Sequence, residues 1–152
     1  WQMQRKIWLF FIHLEKKKTI IIFMNIIGNI IWIVFGGLAL ALEYLLSGFL
    51  LCCTIIGIPF GIQVFKIGIL ALLPFGQTSI IVENNHGCLY FIMNVIWLLI
   101  GGIWIALTHL GLGLLFCITI VGIPFGIQHF KLMSVALTPF GREIISARWL
   151  FS

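Results

Sequence analysis

The sequence predicts an all-α membrane protein made of two tandem repeats, each a long spanning helix followed by a Gly-x-Pro-broken helix. Three observations carry that class. The chain has 152 residues, of which 62% are hydrophobic and 9% charged, with mean hydropathy +1.20. Soluble domains carry about 25% charged residues, and no soluble fold of this size has interior enough for so much apolar surface. Gly57-Ile58-Pro59-Phe60-Gly61-Ile62-Gln63-Val64-Phe65-Lys66 returns 65 positions later as Gly122-Ile123-Pro124-Phe125-Gly126-Ile127-Gln128-His129-Phe130-Lys131. The offset runs without a gap from Asn29/Asn94 to Gly76/Gly141, with 27 identities in 48 pairs. Finally, each copy stops at a second punctuation, Pro74-Phe75-Gly76 and Pro139-Phe140-Gly141. Internal repeats in an apolar chain are a mark of channels and transporters.

The elements follow in order. Residues 1–23 form an extension outside the repeat, a basic and aromatic segment followed by a Lys16-Lys17-Lys18 cluster. It suits an interfacial amphipathic helix, or sequence upstream of a start at Met24. The first repeat, 24–76, opens with a spanning helix from Asn25 to about Leu46. From Ile20 to Cys53 its one charge is Glu43, and a span needs about 20 apolar residues. Asn25, Asn29, Trp32, Gly36 and Glu43 recur at helical spacing and define a face turned toward protein. Ser47 to Ile56 continues as helix. Gly57 and Pro59 then break or kink it, because proline lacks the N–H and crowds the preceding turn. Helix resumes from Phe60 to Leu73. The second repeat, 89–141, follows the same plan, with Leu89 to Phe130 uncharged and the break at Gly122 and Pro124.

Thr78 to Glu83, in the linker 77–88, and Glu143 to Arg148, in the tail 142–152, have strand-like composition and suit pairing on one side of the membrane. The expected topology has kinked but spanning segments, so that the chain crosses four times and both termini and the linker are cytoplasmic. Re-entrant segments would instead give inverted repeats crossing once each. The net charge of +5 sits mostly at the ends, which fits the positive-inside rule and leaves no basic face for nucleic acid.

Chemistry is sparse. Lys66 and Lys131 each lie three residues after a glutamine, so Gln63/Lys66 and Gln128/Lys131 share helix faces, which Ser134 and Thr138 extend. A lysine in hydrocarbon costs about 2.5–3.5 kcal/mol, and each follows the N-terminal end of a resumed helix, which favours anions. These four residues, with Asn29 and Asn94, suit the polar lining of a pore. Alternatively the lysines snorkel to the headgroups and the asparagines hydrogen-bond between helices. Glu43 suits the headgroup level, with a membrane proton site as the alternative. His109 and His129 are divided by a helix break, and no metal or cofactor site is expected. The cysteines Cys52, Cys53, Cys88 and Cys117 form no C-x-x-C pattern. No catalytic constellation is present, so an enzyme is not expected.

The paired glycines, Asn29 with Trp32, both Gly-x-Pro breaks and both Pro-Phe-Gly stops resemble the YccF family of bacterial inner-membrane proteins. The resemblance covers Met24 to about Ser146. It implies a small multi-pass inner-membrane protein and no established activity. Together the readings point to a homo-oligomeric channel or small-solute conduit, anion-favouring, with the bilayer as partner. The alternative is a structural or accessory protein of a larger membrane system.

Overall fold

The computed structural model describes residues 1–82 and 87–146. The chain begins with α1 (Gln2–Trp32), which passes through a π-helical turn (Ile33–Gly37) into α2 (Leu38–Cys52). Phe35 leaves helical geometry there, and Gly36 takes φ 146°, so the long rod kinks. A side chain with a Cβ rarely adopts that φ, which is why glycine occupies the position. The second copy repeats the plan with α4 (Cys88–Trp97), a π-helical turn (Leu98–Gly102) and α5 (Ile103–Cys117). Gly101 keeps negative φ, so the kink at Gly36 is peculiar to the first copy.

The extension is part of α1. Residues from Ile7 to Ile12 are all exposed and apolar in an unbroken row. Six consecutive positions cover every side of a helix, so this segment is not the amphipathic helix that its basic residues suggested.

The Gly-x-Pro breaks are reversals rather than kinks. α2 ends at Cys52, not Ile56, and α3 (Ile58–Leu72) returns along it; α5 ends at Cys117 and α6 (Ile123–Leu137) returns in the same way. Threonine makes the turn. Thr54 donates its hydroxyl hydrogen to the Leu51 carbonyl (3.1 Å) and accepts the Gly57 N–H (3.1 Å). Thr119 repeats this with Phe116 (3.4 Å) and Gly122 (3.1 Å). Pro59 and Pro124 then fall in the first turn of the returning helix, where a missing N–H costs nothing. Small residues let the two legs approach closely: Gly61 lies under Cys52, Gly48 beside Phe65 and Gly68 beside Tyr44.

The two hairpins lie antiparallel. Contacts join non-equivalent ends: Phe60 packs on Phe140 (ring centroids 4.9 Å apart) and Phe75 on Phe125 (5.4 Å). Gly36 meets Leu112 while Gly101 meets Ser47. At the centre, equivalents meet, and Thr108 donates to the Glu43 carboxylate at 3.0 Å. This is a pseudo-twofold relation with its axis across the helices. Glu43 therefore turns inward to the other repeat rather than outward to headgroups.

The two strand-like segments do pair. β1 (Gln77–Ile81) and β2 (Arg142–Ser146) form an antiparallel ribbon, with Ile81 opposite Arg142 and Gln77 opposite Ser146. They start from opposite ends of the molecule, not from one side. The ribbon spans roughly 16 Å between the open ends of the hairpins. Ser146 and Lys18 line one cavity, so the described chain leaves β2 at the end where the Lys16-Lys17-Lys18 cluster lies.

The core fills the crossing. Trp32, Trp97, Tyr44, Leu40, Val64 and Ile67 are buried at its centre. Each buried indole N–H is satisfied: Trp32 donates to the Ala71 carbonyl (2.7 Å) and Trp97 to that of Ala136 (2.6 Å).

Candidate functional site

The polar residues of the repeats form two groups, one outside on the ribbon face and one inside. Outside, four amides hold the Pro-Phe-Gly stops. Asn29 donates to the Phe75 carbonyl (3.1 Å) and accepts the Phe75 N–H (2.9 Å). Asn94 does the same at Phe140 (3.2 and 3.2 Å). The glutamines reach into the opposite repeat. Gln63 donates to the Arg142 carbonyl (2.7 Å) and more weakly to that of Pro139 (3.4 Å), and Gln128 donates to the Pro74 carbonyl (3.2 Å). Each stop is thus held by the asparagine of its own repeat and the glutamine of the other. The side-chain amides of these four residues are engaged with the backbone.

The lysines stay exposed. Lys66 lines a cavity of about 600 Å³ with Gln63, Gln77, Arg142 and Glu143. Lys131 does not line it. Arg142 joins the two sides. Its guanidinium donates to the Thr138 carbonyl (2.7 Å), the Thr138 hydroxyl (3.0 Å) and the Ser134 carbonyl (3.2 Å). Ser134 in turn donates to the Lys131 carbonyl (2.9 Å). A cation at this place also suits the unpaired carbonyls at the end of α6. Arg142 reads in the sequence as a terminal topology charge. The one signal of a different role is that its repeat equivalent is the neutral Gln77.

Inside, the turn brings His109 and His129 together, with Nδ1 to Nδ1 at 3.1 Å and both rings fully buried. His129 also lies against Trp32, centroid to centroid 4.2 Å. A neutral pair at this distance requires one Nδ1–H donor and one bare Nδ1 acceptor, so the two rings hold opposite tautomers. Both Nε2 atoms, the Tyr44 hydroxyl and one Glu43 oxygen are buried without hydrogen-bond partners among the described residues. No group of three or more metal ligands occurs among the described residues. Sequence reasoning missed this pair because it took the break between the histidines as a kink. A reversal centred near residue 119 brings these two positions onto facing legs.

The pair has a measurable consequence. His129→Val, which copies Val64 of the first repeat, strands the His109 Nδ1 in the core. We expect a loss of about 1–3 kcal/mol in detergent unfolding. His109→Leu/His129→Val removes both polar rings and is expected to recover most of it. A double variant whose cost equals the sum of the singles would show that the rings do not interact.

Fold and site together describe a membrane protein of two inverted helical hairpins closed by a short ribbon. Residues 27–77 and 92–142 each match YccF, described as an inner membrane component domain. The chain is 34% identical over 134 residues to the inner membrane protein YccF of Escherichia coli (strain K12), an alignment that covers 81% of this chain and 88% of the relative. It matches the inner membrane protein YccF of Shigella flexneri to the same extent. The chain belongs to the YccF family of inner membrane proteins. No solved structure matches it.

Proposed function

We propose that the protein assembles into a homo-oligomer that conducts small solutes, anions in preference, along its ribbon face. One observation carries this reading. Between residues 24 and 146, the described charges other than Glu43 are Lys66, Lys131, Arg142 and Glu143; Lys66, Arg142 and Glu143 line one cavity beside the ribbon, and Lys131 lies one turn before Ser134, whose carbonyl accepts from Arg142. The remaining surfaces are apolar, with Phe91, Leu99, Trp104 and Leu46 all exposed. Charges turned toward hydrocarbon are costly. The favourable arrangement turns apolar faces to lipid and the ribbon face to protein or water. Three cations against one carboxylate give that face a positive field, which concentrates anions.

The helices Gln2–Cys52 and Cys88–Cys117 are long and apolar enough to cross a bilayer. The returning helices have 15 residues, roughly 22 Å, less than the ~30 Å hydrocarbon core. In this reading the long helices cross, the returning legs stop within the membrane, and the Lys16-Lys17-Lys18 cluster faces the cytoplasm.

Chloride flux from liposomes carrying the purified protein tests the proposal. Lys66→Ala/Lys131→Ala is expected to lower it on the order of tenfold; unchanged flux overturns the assignment. A second reading, an accessory protein docked to a larger membrane system, draws on the hairpin tips, where Ile55 is 89% and Ile120 87% exposed. A single-subunit mass in mild detergent, with no flux, would favour it.

A further inference from the structure

A second cavity shares Gln77 and Ile144 with the Lys66 cavity but opens toward α1 and is not lined by Lys66. It has a volume of about 960 Å³, at the upper end of the ~300–1,000 Å³ usual for ligand sites. α1 forms one wall and the end of β2 the other. Lys17 and Lys18 stand at its outer end, and Ile21, Ile22, Ile26 and Ile145 line its length. The amide of Asn25 lies deeper, beside Gly76. From Lys17 to Asn29 the wall rises roughly 18 Å. One leaflet of hydrocarbon is about 15 Å deep, so the cavity has the length of a single acyl chain.

The geometry points to a binding site for an anionic glycerophospholipid, its phosphate against Lys17 and Lys18 and one acyl chain along the isoleucines. Charge complementarity selects the sign of the headgroup. A lysine near an anionic lipid surface contributes favourably and adds with its neighbours. The apolar length selects a lipid over free phosphate, because each methylene removed from water adds to binding. The nearest competing charge on the helix is Glu15, 3.9 Å from Lys18 and exposed. This leaves Lys17 without an acidic partner among the described residues.

Native mass spectrometry of the full chain, in detergent with equimolar phosphatidylglycerol and phosphatidylcholine, tests the site. The wild type should retain phosphatidylglycerol in preference. Lys17→Ala/Lys18→Ala should lower that preference about tenfold. Ile22→Trp, which fills the apolar length and keeps both lysines, should lower retention of both lipids. Arg5→Ala/Lys6→Ala, away from the cavity, should change nothing. An equal effect of that control pair would make the attraction a general property of the basic helix and overturn the site. So would release of phosphatidylglycerol by millimolar inorganic phosphate, which would reduce the site to a phosphate contact. Increased lipid retention on deletion of residues 147–152 would assign the cavity to the chain's own tail and equally overturn the proposal.

Discussion

Gly57→Ala is expected to open the first hairpin, at a cost of about 3 kcal/mol or more. A Cβ at this position runs into the Leu51 carbonyl oxygen and lies 2.5 Å from the Thr54 hydroxyl oxygen. Neither can yield cheaply. The carbonyl is backbone, and the hydroxyl holds the turn by bonding both Leu51 and Gly57. Gly122→Ala meets the Phe116 carbonyl in the same way and should act equally in the second hairpin. Gly111→Ala provides the contrast. A Cβ there meets nothing within 4 Å, and the residue lies within α5. Alanine in a helix is favoured over glycine by up to about 1 kcal/mol, so that variant should be neutral or more stable. Unfolding in a mixed-detergent titration followed by circular dichroism separates the three. Gly57→Ala with the stability of Gly111→Ala would mean that the chain does not reverse through this turn.

Asn94→Leu is the second large effect, expected at about 2–4 kcal/mol. The asparagine satisfies both the N–H and the carbonyl of Phe140, whose ring is buried against Phe60 and Trp97. Leucine leaves both backbone groups unpaired beside an apolar ring, in surroundings where water replaces them poorly. Asn94→Asp keeps the acceptor for the N–H and loses the donor, so it should fall between leucine and the wild type. Asn29→Leu makes the same change at Phe75 and should match in size. Interhelical hydrogen bonds in membrane proteins average about 0.6 kcal/mol. A cost that small for Asn94→Leu would reduce the clasp to an ordinary contact.

Much of this architecture is legible residue by residue. The apolar content demands lipid, and the offset of 65 defines the unit. Asn29, Trp32, Gly36 and Glu43 share one helix face and all meet protein in the fold. The strand-like composition of Thr78 to Ile81 and of Glu143 to Ser146 appears as paired strands. Ser134 and Thr138 extend the stripe of Lys131, as their spacing suggests, but Arg142 is what ties them to the Lys66 side. No local pattern announces that link, because Arg142 comes from beyond the Pro-Phe-Gly stop.

The turn shows why the rest was hidden. Gly-x-Pro signals the end of a helix, and proline's chemistry is the same at a kink and at a reversal. Thr54 and Thr119 decide between them by bonding across the turn, and threonine in an apolar run carries no distinctive signal. Once the chain reverses, His109 faces His129, and Gly61 and Gly126 let the legs close.

The sequence by itself determined the solvent, the duplicated unit, the Gly-x-Pro and Pro-Phe-Gly punctuation of each copy and the face that seeks protein. These are local properties, set by side-chain chemistry and helical spacing. Only the tertiary structure decided how the two copies meet. Internal similarity makes equivalent residues look alike, but the hairpins are joined by unlike positions, Phe60 on Phe140 and Gln63 on Arg142. A twofold relation with its axis across the helices pairs one end of each copy with the opposite end of the other. Its direction follows from which aromatic and polar surfaces fit together, and the duplication itself does not carry that information.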